Sequence, residues 1–150
     1  MTVPEQPIYV APFAALAGHR CWRAKRGHSS FLTFDFGDRT DGGRFGEWHL
    51  WVQFGEWTIR QGDQPVCDWE SSDAEVEEAA KRIEGCALLG VEVSEPSGAT
   101  RFNFENGLSI AVAPSGWTFD AEGAWWTLFT PDRMILEVTP GPTWSYAPAD

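Results

Sequence analysis

Residues 45–57 read FGEWHLWVQFGEW and contain the tetrapeptide FGEW twice, nine residues apart. Apolar and polar residues alternate along most of this stretch, which is the pattern of a β-strand with one buried face. The repeat therefore indicates a structural role rather than a catalytic or binding motif. We interpret the nine-residue spacing as the pitch of a β-hairpin. In this interpretation Gly55 and Glu56 lie near the turn, and Trp48 packs against Trp57 across the hairpin.

Runs of β-branched and aromatic residues, separated by Gly, Pro, Asp or Asn, recur along most of the chain. The pair Asn106-Gly107 stands between two alternating runs and predicts a tight hairpin turn. One helix is predicted at residues 72–84, because Ser72 and Glu75 form a capping-box pattern ahead of apolar residues at helical spacing. Strands are predicted at residues 19–25, 30–36, 47–54, 57–61, 87–94, 100–106, 108–113, 125–130 and 134–139.

A longer internal repeat runs through the chain. In each half a glycine precedes an F-x-F motif, by 16 residues in the first half and 17 in the second, and a W-x-L motif then precedes another apolar run. We therefore predict one domain, residues 1–150, of the α+β class and mainly β. Two related antiparallel β-meanders, about residues 14–61 and 83–139, are expected to be joined by the helix at 72–84. The alignment matches Gly18 with Gly85, Phe34 with Phe102, Trp48 with Trp126, and Trp57 with Ile135.

The chain is acidic, and its charge is unevenly distributed. The formal charge is −11; residues 1–60 hold seven Lys/Arg and six Asp/Glu, whereas residues 61–84 and residues 85–150 each hold two and eight. Because phosphate contacts need a basic footprint, we expect no nucleic-acid partner. An acidic surface could instead attract a basic protein surface. The alternative is that the charge only maintains solubility.

The cysteines and the N-terminal residues bear on the compartment. Cys21, Cys67 and Cys86 are odd in number and widely spaced, which favours reduced thiols acting as small buried hydrophobes. Residues 1–18 lack the charged start and the uninterrupted apolar block of a secretory signal, and no stretch approaches the roughly 20 apolar residues of a membrane span. We expect a cytoplasmic protein that has no membrane partner and folds without metal, cofactor or disulfide.

No residue pattern points firmly to catalysis or metal binding. His19 and Cys21 could form a dyad, yet any i, i+2 pair on a strand shares a face. His19, Cys21, His49 and Cys67 include zinc-donor types but lack the close paired spacing of structural zinc sites. We therefore assign no catalytic, metal or cofactor residue. Enzymatic activity stays open, because distant carboxylates could still form an acid–base pair.

Aromatic residues on an otherwise polar face are the main candidates for a binding site. In the strand at 47–54, Trp51 falls on the same side as Glu47 and His49. The repeat aligns Trp51 with Phe129, Trp125 shares that outer side, and a long loop carries two more rings. Either these rings bind a partner or a second layer, such as the helix or the C-terminal tail, covers them. The candidate binding residues are Trp51, Trp117, Phe119, Trp125 and Phe129.

Two short motifs carry a resemblance to known proteins. At GEWHLW (Gly46–Trp51) and TLFTPD (Thr127–Asp132) the chain resembles small bacterial β-rich proteins of uncharacterised activity, in which such hairpin motifs recur. In size, charge and β-rich texture it is similar to the acidic immunity proteins that accompany bacterial toxins. Neither resemblance carries a functional residue over to this chain.

Three functions follow as hypotheses from different classes. The leading one is a non-enzymatic protein-binding module, of an immunity-like or inhibitory kind, that uses an acidic surface and outward aromatic residues to occupy a protein partner. The alternative is a small-ligand-binding β domain whose aromatic pocket lies between the two halves. An enzyme is the third.

Overall fold

The computed structural model describes residues 7–27, 31–40, 44–114 and 123–149. Within them, the chain forms strands through most of its length, as its β-branched and aromatic composition predicts. The helices are α1 (Val10–Leu16) and α2 (Asp73–Ile83), and the strands are β1 (Cys21–Arg26), β2 (Leu32–Thr40), β3 (Phe45–Val52), β4 (Glu56–Gln61), β5 (Gln64–Asp68), β6 (Leu88–Ser94), β7 (Ala99–Phe104), β8 (Leu108–Ala113), β9 (Trp126–Phe129), β10 (Met134–Thr139) and β11 (Thr143–Pro148).

The strands form two antiparallel sheets. The six-stranded sheet has the order β1-β2-β3-β9-β10-β11, and the five-stranded sheet has the order β5-β4-β8-β7-β6. Rings from both sheets meet between them: the Phe36 and Phe104 rings stack at 6.2 Å, and Phe102 meets Trp126 edge-on at 5.6 Å. The predicted class, α+β and mainly β, is confirmed. No helix in the described ranges is long and apolar enough to cross a membrane.

The hairpin interpretation of the FGEW repeat is wrong. β3 pairs with β2 and β9, whereas β4 pairs with β5 and β8, so Trp48 and Trp57 lie in different sheets. The chain crosses from one sheet to the other at Gly55, where a Cβ atom would come within 2.4 Å of Val112 Cγ1. The glycine of the second FGEW copy is therefore needed for a close crossing and not for a turn.

The two halves of the chain run through the same order of elements. Each half has a helix, then a three-stranded meander, then a crossing to the other sheet, where its next strands pair with the meander of the other half. The seams are β3 with β9 and β8 with β4. Each sheet is therefore built jointly by both halves, which the sequence pattern did not predict. The exact repeat boundaries, 14–61 and 83–139, stay a prediction.

The strand registers of β1-β2-β3-β9 and β6-β7-β8-β4 agree residue by residue, whereas β4-β5 has a register shift after Ile59 that β9-β10 lacks. Phe34 faces Leu50, which faces Leu128; in the other sheet Phe102 faces Ile110, which faces Ile59. Even the irregularity in the first strand is shared, after Cys21 in β1 and after Leu88 in β6. We call residues that occupy the same place in the two sheets matched positions.

The registers correct the second part of the predicted alignment. Gly18 with Gly85 and Phe34 with Phe102 are matched, but Trp126 is matched with Trp57 rather than with Trp48. Trp48 and Trp126 instead lie on neighbouring strands of one sheet. The alignment slipped by one strand because W-x-L and W-T-I look alike when only apolar spacing is compared.

The predicted helix is confirmed. The Ser72 side chain accepts a hydrogen bond from the Glu75 backbone N–H at 3.3 Å, and the Glu75 carboxylate accepts one from the Ser72 backbone N–H. Gly85 adopts a φ of 88° just past the end of the helix. The hairpin turn at Asn106-Gly107 is also confirmed, with positive φ at both residues. Three elements were not predicted, namely α1, β5 and β11. Each is short and contains proline, which masks the periodic pattern.

Two arginines, Arg20 just before β1 and Arg26 at its end, pair with acidic groups of the same chain. Arg26 lies 3.3 Å from Asp73 at the start of α2, and Glu84 at the end of α2 accepts a hydrogen bond from the Ala24 backbone. Arg20 lies 3.2 Å from Glu105. β1 is an edge strand, and such contacts occupy backbone groups that would otherwise invite another strand.

Candidate functional site

One row of side chains on β3 faces away from the core. Because side chains alternate along a strand, Trp48 and Leu50 are buried between the sheets while Phe45, Glu47, His49 and Trp51 point outward. Phe129 on β9 stands opposite His49. Together these residues line an open cleft of about 660 Å³, here called the aromatic cleft. Its lining residues are Thr40, Phe45, Gly46, Glu47, His49, Trp51, Phe129, Thr130, Pro131 and Arg133.

A buried carboxylate lies beneath this cleft. Asp35 on β2 is 0% exposed although it belongs to the outward side of its strand. Its oxygens accept hydrogen bonds from the Gly46 backbone N–H at 2.9 Å, from Arg23 Nε at 2.9 Å and from His49 Nδ1 at 2.6 Å. A buried charge is tolerated when it is paired and hydrogen-bonded in this way.

Two opposing effects determine the pKa of Asp35. Burial raises the pKa, because it disfavours the charged form, and it is the largest single cause. The hydrogen bonds from His49, Gly46 and Arg23 act against burial, and the pKa of Asp35 lies below its ordinary value. Asp35 is therefore an ionised anchor for the groups around it.

The hydrogen bonds of His49 define its protonation state. The Trp51 indole Nε1–H donates to His49 Nε2, and an indole nitrogen can only donate. His49 Nε2 must then accept, so the ring proton is on Nδ1, where it is donated to Asp35. The result is a continuous chain of hydrogen bonds, Arg23–Asp35–His49–Trp51, which fixes the orientation of the Trp51 ring.

The rings of the cleft pack against one another. Trp51 meets Phe129 at 5.1 Å and 66°, Phe45 meets His49 at 5.2 Å and 62°, and His49 meets Phe129 at 6.0 Å and 39°. Phe45 is 43% exposed, and the side chain of His49 is 12% exposed. The rings thus form a cluster that stays partly open to solvent rather than a second closed core.

Two charged side chains line the cleft besides the rings. Glu47 lies flat against Gly37, whose φ is 75°, and a Cβ atom at Gly37 would come within 2.6 Å of Glu47 Cγ. Arg133, at the turn between β9 and β10, is exposed and has a positive φ of 63°. The cleft therefore offers ring faces, one carboxylate and one guanidinium to a ligand.

The matched positions in the five-stranded sheet provide an internal comparison. That sheet repeats the strand order and the core registers of the first. The four residues of the hydrogen-bonded chain and Phe129 nevertheless have different residue types at their matched positions. A sheet with this strand order and register therefore forms without this set of side chains. The matched pairs are Arg23 with Gly90, Asp35 with Asn103, His49 with Ser109, Trp51 with Ala111, and Phe129 with Arg60.

The predicted binding residues have different outcomes. Trp51 and Phe129 lie together in the aromatic cleft, on neighbouring strands and not at matched positions as the alignment had them. Trp125 was predicted to face outward, and this is wrong: it is 3% exposed and belongs to the core. The reason is that Trp125 precedes β9, where strand alternation does not apply. Trp117 and Phe119 lie outside the described residues.

Several residues of the site were not predicted as binding residues, namely Asp35, Phe45, Glu47, His49 and Arg133. Alternation along β3 places Phe45, Glu47 and His49 beside Trp51, so that signal was present in the sequence. Asp35 and Arg133 come from other strands and turns, and only the pairing of β2 with β3 and β9 with β10 brings them close.

The site shows no arrangement for nucleophilic catalysis among the described residues. Both ring nitrogens of His49 are occupied, by Asp35 and by Trp51, and Nε2 is not free to take a proton from a substrate. Burial raises the pKa of the Cys21 thiol to about 12 and that of Cys67 to about 11. Within the described ranges, no three His, Cys, Asp or Glu side chains are placed to hold a metal ion.

Comparison with known proteins identifies no relative. No protein-family model, no curated protein and no solved structure matches the chain.

Proposed function

We propose that this protein is a non-enzymatic binding module that captures a protein partner through the aromatic cleft. One observation carries the proposal. The two sheets share strand order and register, but only the six-stranded sheet has aromatic rings, Trp51 and Phe129, at these matched outward positions. Residues that the same scaffold does without elsewhere are candidates for function rather than for folding. Half-exposed rings in an open cleft are typical anchors of protein interfaces.

The acidic character of the chain supports a basic partner. A formal charge of −11 attracts a positively charged surface and accelerates its encounter with the protein. An inhibitory or immunity-like protein in the cytoplasm, which occupies a basic functional surface of another protein, would have this combination of acidity and aromatic anchors. Three buried, unpaired thiols are consistent with that compartment.

A small-ligand-binding domain is the second candidate, and one observation favours it. The cleft measures about 660 Å³, which falls among the usual volumes of ligand pockets, and it spans the seam between β3 of the first half and β9 of the second.

Native mass spectrometry of the protein purified from its source cells tests both candidates. We expect wild type to carry a second protein chain in a defined ratio, and the Trp51→Ala variant to lose it. Arg60→Ala, at the position matched with Phe129 in the other sheet, is the control and should retain the partner. A bound small molecule in place of a chain supports the alternative. Retention of the same partner by Trp51→Ala overturns the proposed site.

A further inference from the structure

We propose that the aromatic cleft receives a cationic side chain, a lysine ammonium or an arginine guanidinium, from its partner. This inference rests on the proposed function and names the chemical group that the cleft recognises. It draws on ring geometry and on the distribution of charge around the cleft.

The ring geometry suits a cation. Trp51 meets Phe129 at 5.1 Å and 66°, and Phe45 meets His49 at 5.2 Å and 62°, so the rings of each pair touch and a cation would bind over the faces left open to the cleft rather than between them. The face of an aromatic ring carries negative charge density, which attracts a cation within about 6 Å of the ring centre. An apolar group would gain only from burial, whereas a cation gains from the ring faces as well.

The same sheet already holds cations on an indole ring. At its β1 edge, the guanidinium carbon of Arg39 lies 4.1 Å and that of Arg23 lies 5.0 Å from the centre of the Trp22 ring. One half-buried ring of this sheet is therefore already used for cation contacts within the chain itself.

One charged side chain of the cleft favours the binding of a cation, and another opposes it. Asp35 is neutralised by Arg23, so Glu47 is the carboxylate available to an incoming cation. Arg133 opposes it from the turn between β9 and β10. The two side chains give predictions of opposite sign, since removing the charge of Glu47 weakens cation binding and removing that of Arg133 strengthens it.

Short blocked peptides test the inference before any partner is known. Glycine-flanked peptides centred on lysine, norleucine or glutamate are titrated into ¹⁵N-labelled protein, and the Trp51 indole N–H signal is followed. We expect the lysine peptide to bind about two- to fivefold more tightly than the norleucine peptide, as cation contacts with exposed rings allow. Equal binding of lysine and norleucine overturns the proposal.

Three variants locate the effect. Glu47→Gln should weaken binding of the lysine peptide and Arg133→Gln should strengthen it, each by about two- to fivefold. Arg60→Gln, in the other sheet, should change nothing. If Glu47→Gln has no effect on lysine-peptide binding while Trp51→Ala still releases the natural partner, the cation inference is wrong and the proposal of a binding module is retained. If the Trp51→Ala variant keeps that partner, the proposed function itself is wrong.

Discussion

The outer faces of the two sheets share a scaffold and differ in chemistry. Both faces display residues at the same places of the same strand pairings, but one presents the chain Arg23–Asp35–His49–Trp51 and the other presents glycine, asparagine, serine and alanine. The core positions beneath them are similar in both sheets, with Phe34 matched to Phe102 and Trp126 to Trp57. The comparison indicates that a sheet of this kind needs its apolar inner face, whereas the aromatic rings of the outer face are present in one sheet and absent from the matched positions of the other.

The largest expected effects test the claim that the cores are equivalent. Trp57→Ala and Trp126→Ala should each lower the free energy of unfolding by about 3–5 kcal/mol, because both rings are fully buried. Denaturant unfolding of each variant measures the effect. A loss below about 1 kcal/mol at either site would contradict the equivalence of the two cores.

A second comparison contrasts the matched pair Asp35 and Asn103. Replacing Asp35 by Asn leaves Arg23 without its carboxylate partner and disturbs the hydrogen bond from His49, so we expect a loss of about 3 kcal/mol at neutral pH. Asn103→Ala removes a half-buried amide from the five-stranded sheet and should cost about 1 kcal/mol or less. Equal losses at both positions would erase the distinction between the faces.

The difference between wild type and Asp35→Asn should depend on pH. The pKa of Asp35 is lower in the folded protein than in the unfolded chain, where an aspartate titrates near about 3.9. Its contribution to stability is therefore fully present above about pH 4 and is lost as the pH falls through the lower, folded-state pKa. Unfolding curves recorded from neutral to acidic pH should converge for the two proteins. A gap that persists at the acidic end would assign the loss to packing.

A smaller effect on stability is expected at the aromatic cleft. Trp51→Ala removes a half-exposed ring and its bond to His49, and we expect a loss of about 1 kcal/mol. The same variant should weaken partner binding by about 2 kcal/mol, as for an interface anchor. Trp51→Phe keeps a ring without the indole donor and should retain part of that binding. A stability loss of several kcal/mol for Trp51→Ala would show that the rings form a second core.

Sequence patterns predicted local structure better than pairing. The Ser72–Glu75 capping box and the Asn106-Gly107 turn depend on neighbours in sequence, and both are confirmed. The place of β3 and β4 in different sheets depends on long-range pairing, and Gly55 looks the same in sequence whether it makes a turn or a crossing. The hairpin interpretation failed for that reason.

The site was predicted only in part for the same physical reason. Trp51 stood out because one strand's alternation exposed it, and Phe129 was found through an alignment that the structure corrects. Asp35 gave no signal, since a carboxylate in a strand looks solvent-exposed until the pairing of β1, β2 and β3 surrounds it with Arg23, Gly46 and His49.

The smallest effects are expected at the thiols. Cys21 and Cys67 occupy positions matched with Leu88 and Leu136, which indicates that the thiols fill apolar space in the core. Cys21→Val and Cys67→Val should each change the free energy of unfolding by less than about 1.5 kcal/mol.

Because burial holds the pKa of Cys21 at about 12 and that of Cys67 at about 11, thiolate is scarce near neutral pH, and iodoacetamide should label these residues only as the chain unfolds. Thermal unfolding should also be unchanged by reductant or chelator. Rapid labelling of the native protein, or a Tm that drops when chelator removes bound zinc, would instead give the thiols a chemical role and would make the inner faces of the two sheets functionally different as well.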